Sequence, residues 1–100
     1  MITTQQIQLV EKALGITLYY DQIQYIRHGI DGFLYRRSGK TTAYIVRLLL
    51  TEGPSIKKRE VGKFSDMKHL RQYSNTFFID EVRKIKDKLD AVGLKTREII

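Results

Sequence analysis

Apolar residues recur along the first third of this chain at helical spacing. Ile7, Val10 and Leu14 step by three and four, which puts them on one face of an amphipathic helix. Thr3 and Gln6 stand at the spacing of a capping box, with Ile2 and Ile7 placed as a hydrophobic staple. Gly15 suits the left-handed position that ends a helix, letting Ile16 fold back on Val10. The same punctuation then repeats. Asp21 and Gln24 form a second capping box flanked by Tyr20 and Tyr25. Ile23, Ile26 and Ile30 supply an apolar side, and Gly29 is the stop. Between them, Gln22 reads as an exposed helical glutamine.

The middle is patterned differently. Gly32 to Tyr35 is an apolar run without alternation, which reads as a short buried strand over 32–36 or as an extended lead-in. Ala43, Tyr44, Ile45, Val46, Leu48, Leu49 and Leu50 leave only Arg47 to interrupt them. That predicts the central core helix over 40–52, closed by Gly53-Pro54. Residues 55–64 are basic and polar around Ile56, Val61 and Phe64, so 56–61 reads as a loop or a weak, lysine-blunted edge strand.

The longest predicted element covers 65–92, with Ser65 as N-cap and Asp66 in the first turn. Phe78, Val82, Ile85, Leu89 and Val92 step by four, three, four and three, a heptad-like seam. Asp80 and Lys84 stand at a favourable spacing of four. Ser74-Asn75-Thr76 is a soft spot where the helix kinks or breaks. Gly93 stops it, with Leu94 closing on Leu89. Thr76 to Glu81 also has the look of an apolar strand ending in acids, but no Gly or Pro lies between Lys63 and Gly93, which favours helix. The fold expected is therefore mainly α and a single domain over 1–100. It has about four helices (3–14, 21–28, 40–52, 65–92) and at most a small two-stranded β element (32–36, 56–61). The Phe78–Val92 seam suits core packing first and a homodimer second.

Composition narrows the function classes. One hundred residues allow one domain with a modest core. No apolar run approaches the ~20 residues of a membrane span, no signal peptide is visible, and the expected setting is intracellular. There is no cysteine, which removes disulfides, thiolate chemistry and cysteine-based zinc sites. The net charge is +7 and unevenly spread: residues 27–71 hold eleven Lys/Arg against four Asp/Glu. A concentrated basic stretch favours a polyanionic partner, through counterion release from phosphates or steering to an acidic surface. The candidate contact residues are Arg36, Arg37, Lys57, Lys58, Arg59 and Lys63. Tyr35, Tyr44 and Tyr73 are interleaved with them; aromatic stacking beside phosphate contacts suits single strands, although Tyr44 fits the core better.

Ser38, Gly39, Lys40 and Thr41 match the closing half of a phosphate-binding loop, Gly-Lys-[Ser/Thr] before a helix. A full motif has another glycine where this chain has Leu34. His28 and His69 have no partners at metal spacing, and no catalytic triad or carboxylate pair stands out. Binding without turnover is the expectation.

Leu18-Tyr19-Tyr20-Asp21-Gln22, followed by Arg36-Arg37-Ser38-Gly39-Lys40-Thr41-Thr42-Ala43-Tyr44, resembles the opening of phage terminase large subunits and related ATPases over roughly residues 5–50. That resemblance implies Mg-ATP at Lys40 and Thr41; Gln22, in its other reading, is similar to the adenine-sensing glutamine upstream of a Walker A loop in some helicases. The chain is too short for the full sheet, coupling motif and nuclease domain of those proteins. As a whole, with Phe64-Ser65-Asp66 and the Lys-Leu-x-x-x-Gly-Leu-Lys-Thr-Arg run near its end, it is similar to short phage or prophage proteins of Gram-positive hosts. The function expected is a small basic accessory or regulatory protein in the host cytoplasm, binding nucleic acid or an acidic host-protein surface. The alternatives are a nucleotide-binding module and a protein-binding inhibitor of a host defence or replication factor.

Overall fold

The computed structural model describes residues 2–29, 40–65, 70 and 72–100, with the backbone only at Lys40. Those residues are mainly helical: α1 (Thr4–Leu14), α2 (Tyr20–His28), α3 (Lys40–Leu50), a 3-10 helix (Lys58–Phe64), a π segment (Tyr73–Phe77) and α4 (Phe78–Ala91). The expected strand at 32–36 lies outside the described residues.

Capping sets the first two helices. The Thr3 N–H donates to Gln6 Oε1 at 2.7 Å, and the Gln6 N–H donates to Thr3 Oγ1 at 3.2 Å. This is the reciprocal box expected from the sequence. Ile2 and Ile7 are both buried. Gly15 takes φ 65°, and the Glu11 carbonyl accepts from both Gly15 and Ile16. Ile16 itself stays 42% exposed rather than folding onto the helix. The start of α2 differs from expectation. Its N-cap is Tyr19, and Gln22 rather than Gln24 closes back, its Oε1 accepting from the Tyr19 N–H at 2.9 Å. Asp21 instead sits in the first turn, where a carboxylate complements the helix dipole. Gln22 is consequently buried, not an exposed helical residue.

Helix α3 is the core element. Ala43, Ile45, Val46, Leu49 and Leu50 are buried with Ile26 of α2 and Phe78, Val82, Ile85 and Leu89 of α4. The seam from Phe78 is thus spent inside the chain's own core, with Val92 packed at its edge. Core packing, the first use expected of the seam, is the one observed, and the homodimer ranked second would find no free apolar face along it. Arg47, the interruption in α3, crosses to the end of α2. Its Nη1 donates to the Ile26 carbonyl at 2.9 Å and to the Tyr25 carbonyl at 3.4 Å. The Ile26 carbonyl is one of the last of α2, where the helix itself supplies no donor, while the Tyr25 carbonyl also accepts from the capping Gly29 N–H at 2.8 Å.

The C-terminal segment performs the same service for α3. After Gly93 (φ 83°) the chain turns, and the Leu94 N–H donates back to Leu89. The Arg97 N–H then donates to the Leu49 carbonyl at 2.7 Å, and its Nε donates to the Pro54 carbonyl at 3.0 Å. The guanidinium lies over the Phe64 ring, 5.5 Å from its centroid.

The 56–61 segment is not a strand. Ile56 forms an isolated parallel bridge with Ile99, and from Lys58 the chain winds into the 3-10 helix. The reason is the apolar spacing: Val61 and Phe64 lie three apart, and a three-residue turn puts both against the core. The Glu60 N–H donates to the Lys57 carbonyl at 2.7 Å, starting that winding.

Residues 76–80 are helical, so the strand alternative there falls. The soft spot at 74–76 appears as the π segment: the Phe78 N–H reaches the Tyr73 carbonyl, and Thr76 Oγ1 donates back to Gln72. Such back-bonding bends helices. Here it accompanies a close approach, since a Cβ at Gly62 would meet the Ser74 carbonyl oxygen at 2.9 Å. Ser65 closes the 3-10 helix through its N–H to Gly62; its expected capping of the next helix turns on Asp66, which lies outside the described residues. The ion pair expected between Asp80 and Lys84 is replaced by Glu81 with Lys84 at 3.7 Å.

Candidate polyanion-binding surface

The basic residues of the 57–63 stretch sit where the fold cannot bury them. Ile56 is drawn into the core by the bridge to Ile99, and Val61 and Phe64 turn inward on the 3-10 helix. Three consecutive cationic side chains, Lys57, Lys58 and Arg59, are left exposed. They line one shallow cleft of about 380 Å³ together with Ile100. The Lys58 N–H donates to the Ile100 carbonyl at 2.6 Å, so the backbone beneath these charges is tied to the C-terminal segment. Lys63 is also exposed and lies 3.7 Å from Glu60. A pair so open to water contributes little to stability, which leaves Lys63 able to exchange Glu60 for another anion.

The phosphate-loop residues fare differently. Arg36, Arg37, Ser38 and Gly39 lie outside the described residues, as does the Lys40 side chain; the Lys40 backbone opens α3. Thr41 is half-buried, with its hydroxyl 3.5 Å from that of Tyr73. Tyr44, as expected, is a packing residue: its hydroxyl donates to the Phe64 carbonyl, and its ring lies tilted 6.2 Å from Phe78. Asp80 is exposed on α4. His28 is exposed at the end of α2, and His69 lies outside the described residues. Among the described residues, no group of three His, Asp or Glu side chains is placed to hold a metal ion. No helix among them is long and apolar enough to cross a membrane.

Two features escaped the sequence reading. One is a second cleft of about 550 Å³ between the end of α3 and the C-terminal segment, lined by Glu52, Gly53, Lys95, Arg97 and Glu98 among others. Its charges are mixed, and Arg97 is already committed to Pro54 and Phe64. The other is Phe77, 51% exposed with its ring 5.3 Å from that of Tyr73. The seam that starts at Phe78 already leaves Phe77 off the core face, but the Phe77-Phe78 pair looked uniformly apolar in sequence, and the π segment that carries the outward ring had no signal beyond the soft spot at 74–76. Comparison with known proteins yields no match, whether to a family model, a curated protein or a solved structure.

Proposed function

We propose that this chain is a small accessory protein that works by binding a polyanion, a nucleic acid or an acidic protein surface, rather than by turnover. The observation that carries the reading is the exposure of Lys57, Lys58 and Arg59 around one cleft. The charge distribution supports it, since residues 27–71 hold most of the excess positive charge. The resemblance read in Phe64-Ser65-Asp66 and the run from Lys88 to Arg97 would fit an accessory role of phage type. The C-terminal segment, bonded to Ile56 and Lys58, supplies a base for the cationic stretch.

The test is anisotropy of a labelled oligonucleotide at roughly 50 and 200 mM salt, with heparin as a competitor. Wild type should bind more weakly as salt rises. The triple variant Lys57→Ala/Lys58→Ala/Arg59→Ala should lose about tenfold or more in affinity and lower the log–log salt slope by about two to three, one counterion for each lost phosphate contact. Equal binding by wild type and variant would move the contact elsewhere, and absence of salt dependence would end the reading.

A further inference from the structure

Phe77 is the one phenylalanine among the exposed large apolar side chains of the described residues. A phenylalanine ring half in water forgoes part of the burial that makes such a residue stabilising. It is held on a π segment, and π turns inside α-helices occur disproportionately at functional sites. Tyr73 backs it, the two rings tilted by 31° with their centroids 5.3 Å apart. Tyr73 is itself held by Phe78 at 6.4 Å and lies beside the Thr41 hydroxyl. The ring is therefore backed by a side chain that itself packs on the core, and about half of the residue stays in water. The element packed on this π segment is the 3-10 helix that carries the cationic stretch, as the approach of Gly62 to Ser74 and Asn75 shows.

We infer that the polyanion is a single-stranded nucleic acid, and that Phe77, backed by Tyr73, is its base-stacking platform. This rests on the polyanion reading above and deepens it. Backbone phosphates are met by Lys57, Lys58, Arg59 and Lys63, and an unpaired base lies on Phe77. Stacking on an aromatic side chain is tolerant of sequence because every base has a π face. A duplex keeps its bases stacked on one another and cannot use the ring, so the same surface discriminates between strands without reading base edges. An acidic protein would use the charges and leave the ring unused.

The chain contains no tryptophan, so Phe77→Trp installs a unique reporter at the platform. Three ligands are compared at one salt concentration: an oligothymidylate, a duplex of equal length and heparin. Phe77→Ala should lose about tenfold or more in affinity for the single strand while leaving heparin binding within about twofold. Phe77→Trp should bind the single strand at least as well as wild type, with emission quenched by the oligonucleotide and unchanged by heparin at saturation. Circular dichroism on both variants confirms that the helices persist. Single-strand binding by Phe77→Ala equal to wild type overturns the inference and leaves the ring to an apolar protein partner. A parallel loss of heparin binding also overturns it, because the ring would then matter only to the fold. If neither heparin nor oligonucleotide binds wild type, the polyanion reading falls first and the platform with it.

Discussion

Gly53 and Arg97 illustrate how a single atom decides a residue here. A Cβ on Gly53 would come 2.7 Å from Nη2 of Arg97 and 2.9 Å from its Cζ. The guanidinium cannot simply swing aside, since its Nε is bonded to the Pro54 carbonyl and its plane covers Phe64. Gly53→Ala should therefore act by evicting Arg97, and both Gly53→Ala and Arg97→Ala should lower stability by about 1 to 2 kcal/mol. Because the two substitutions remove the same contact, the double variant should cost about as much as Arg97→Ala alone. A urea double-mutant cycle checks this, and fully additive losses would show that Gly53 serves something other than Arg97. The same arrangement recurs at Gly29, where a Cβ would meet Arg47 Nη2 at 3.0 Å, but there the left-handed φ of 74° penalises any side chain in addition. Neither arginine's role was legible in sequence. Arg47 looked only like an interruption of an apolar helix and Arg97 drew no structural reading, because their acceptor carbonyls lie about twenty and forty positions away.

At the level of elements, what could be read ahead was what is encoded locally. The Thr3–Gln6 box, the stops at Gly15, Gly29 and Gly93, and the apolar seam of α4 all follow from spacings of three to seven residues. The box is the cleanest case to test. Thr3→Ala removes the acceptor for the Gln6 N–H and should cost about 1 kcal/mol, with Thr3→Ser nearly neutral. Thermal melts followed by circular dichroism would show it, and equal melting of all three proteins would mean that Ile2 and Ile7 hold the start of α1 unaided. The second box was misplaced by two residues for a definable reason. Asp21 has a good capping side chain, but Tyr19-Tyr20 enters α2 earlier, and the Gln22 amide can reach the Tyr19 N–H only from that register. The 56–61 segment misled in the opposite way, since a short run of β-branched and basic residues looks like an edge strand until the spacing of Val61 and Phe64 is seen to match a three-residue turn.

Across the whole molecule, closure depends on the last few residues. The segment after Gly93 bonds to the end of α3 through Arg97. It bonds to Ile56 through the Glu98 carbonyl and the Ile100 N–H, at 2.8 and 2.9 Å. It is also fastened to α4, where Lys86 Nζ donates to Asp90 at 3.2 Å and to the Thr96 hydroxyl at 2.7 Å. Three elements distant in sequence are therefore held by one strip, and the cationic surface sits at its end, because the Lys58 N–H bonds to the Ile100 carbonyl. This couples stability to the proposed binding in a way that surface charge alone would not. Removing residues 95–100 should uncap α3, free the buried Ile56 and lower the melting temperature by more than about 10 °C, given that 1 kcal/mol corresponds to about 4 to 8 °C in a domain of this size. The substitution Lys86→Met loosens the strip at one point only and should shift melting by a few degrees at most. If the truncated chain melts with wild type, the bridge and the arginine cap contribute nothing net. The polyanion surface would then have to be organised by the 3-10 helix alone, held through Val61, Phe64 and the approach of Gly62 to the π segment.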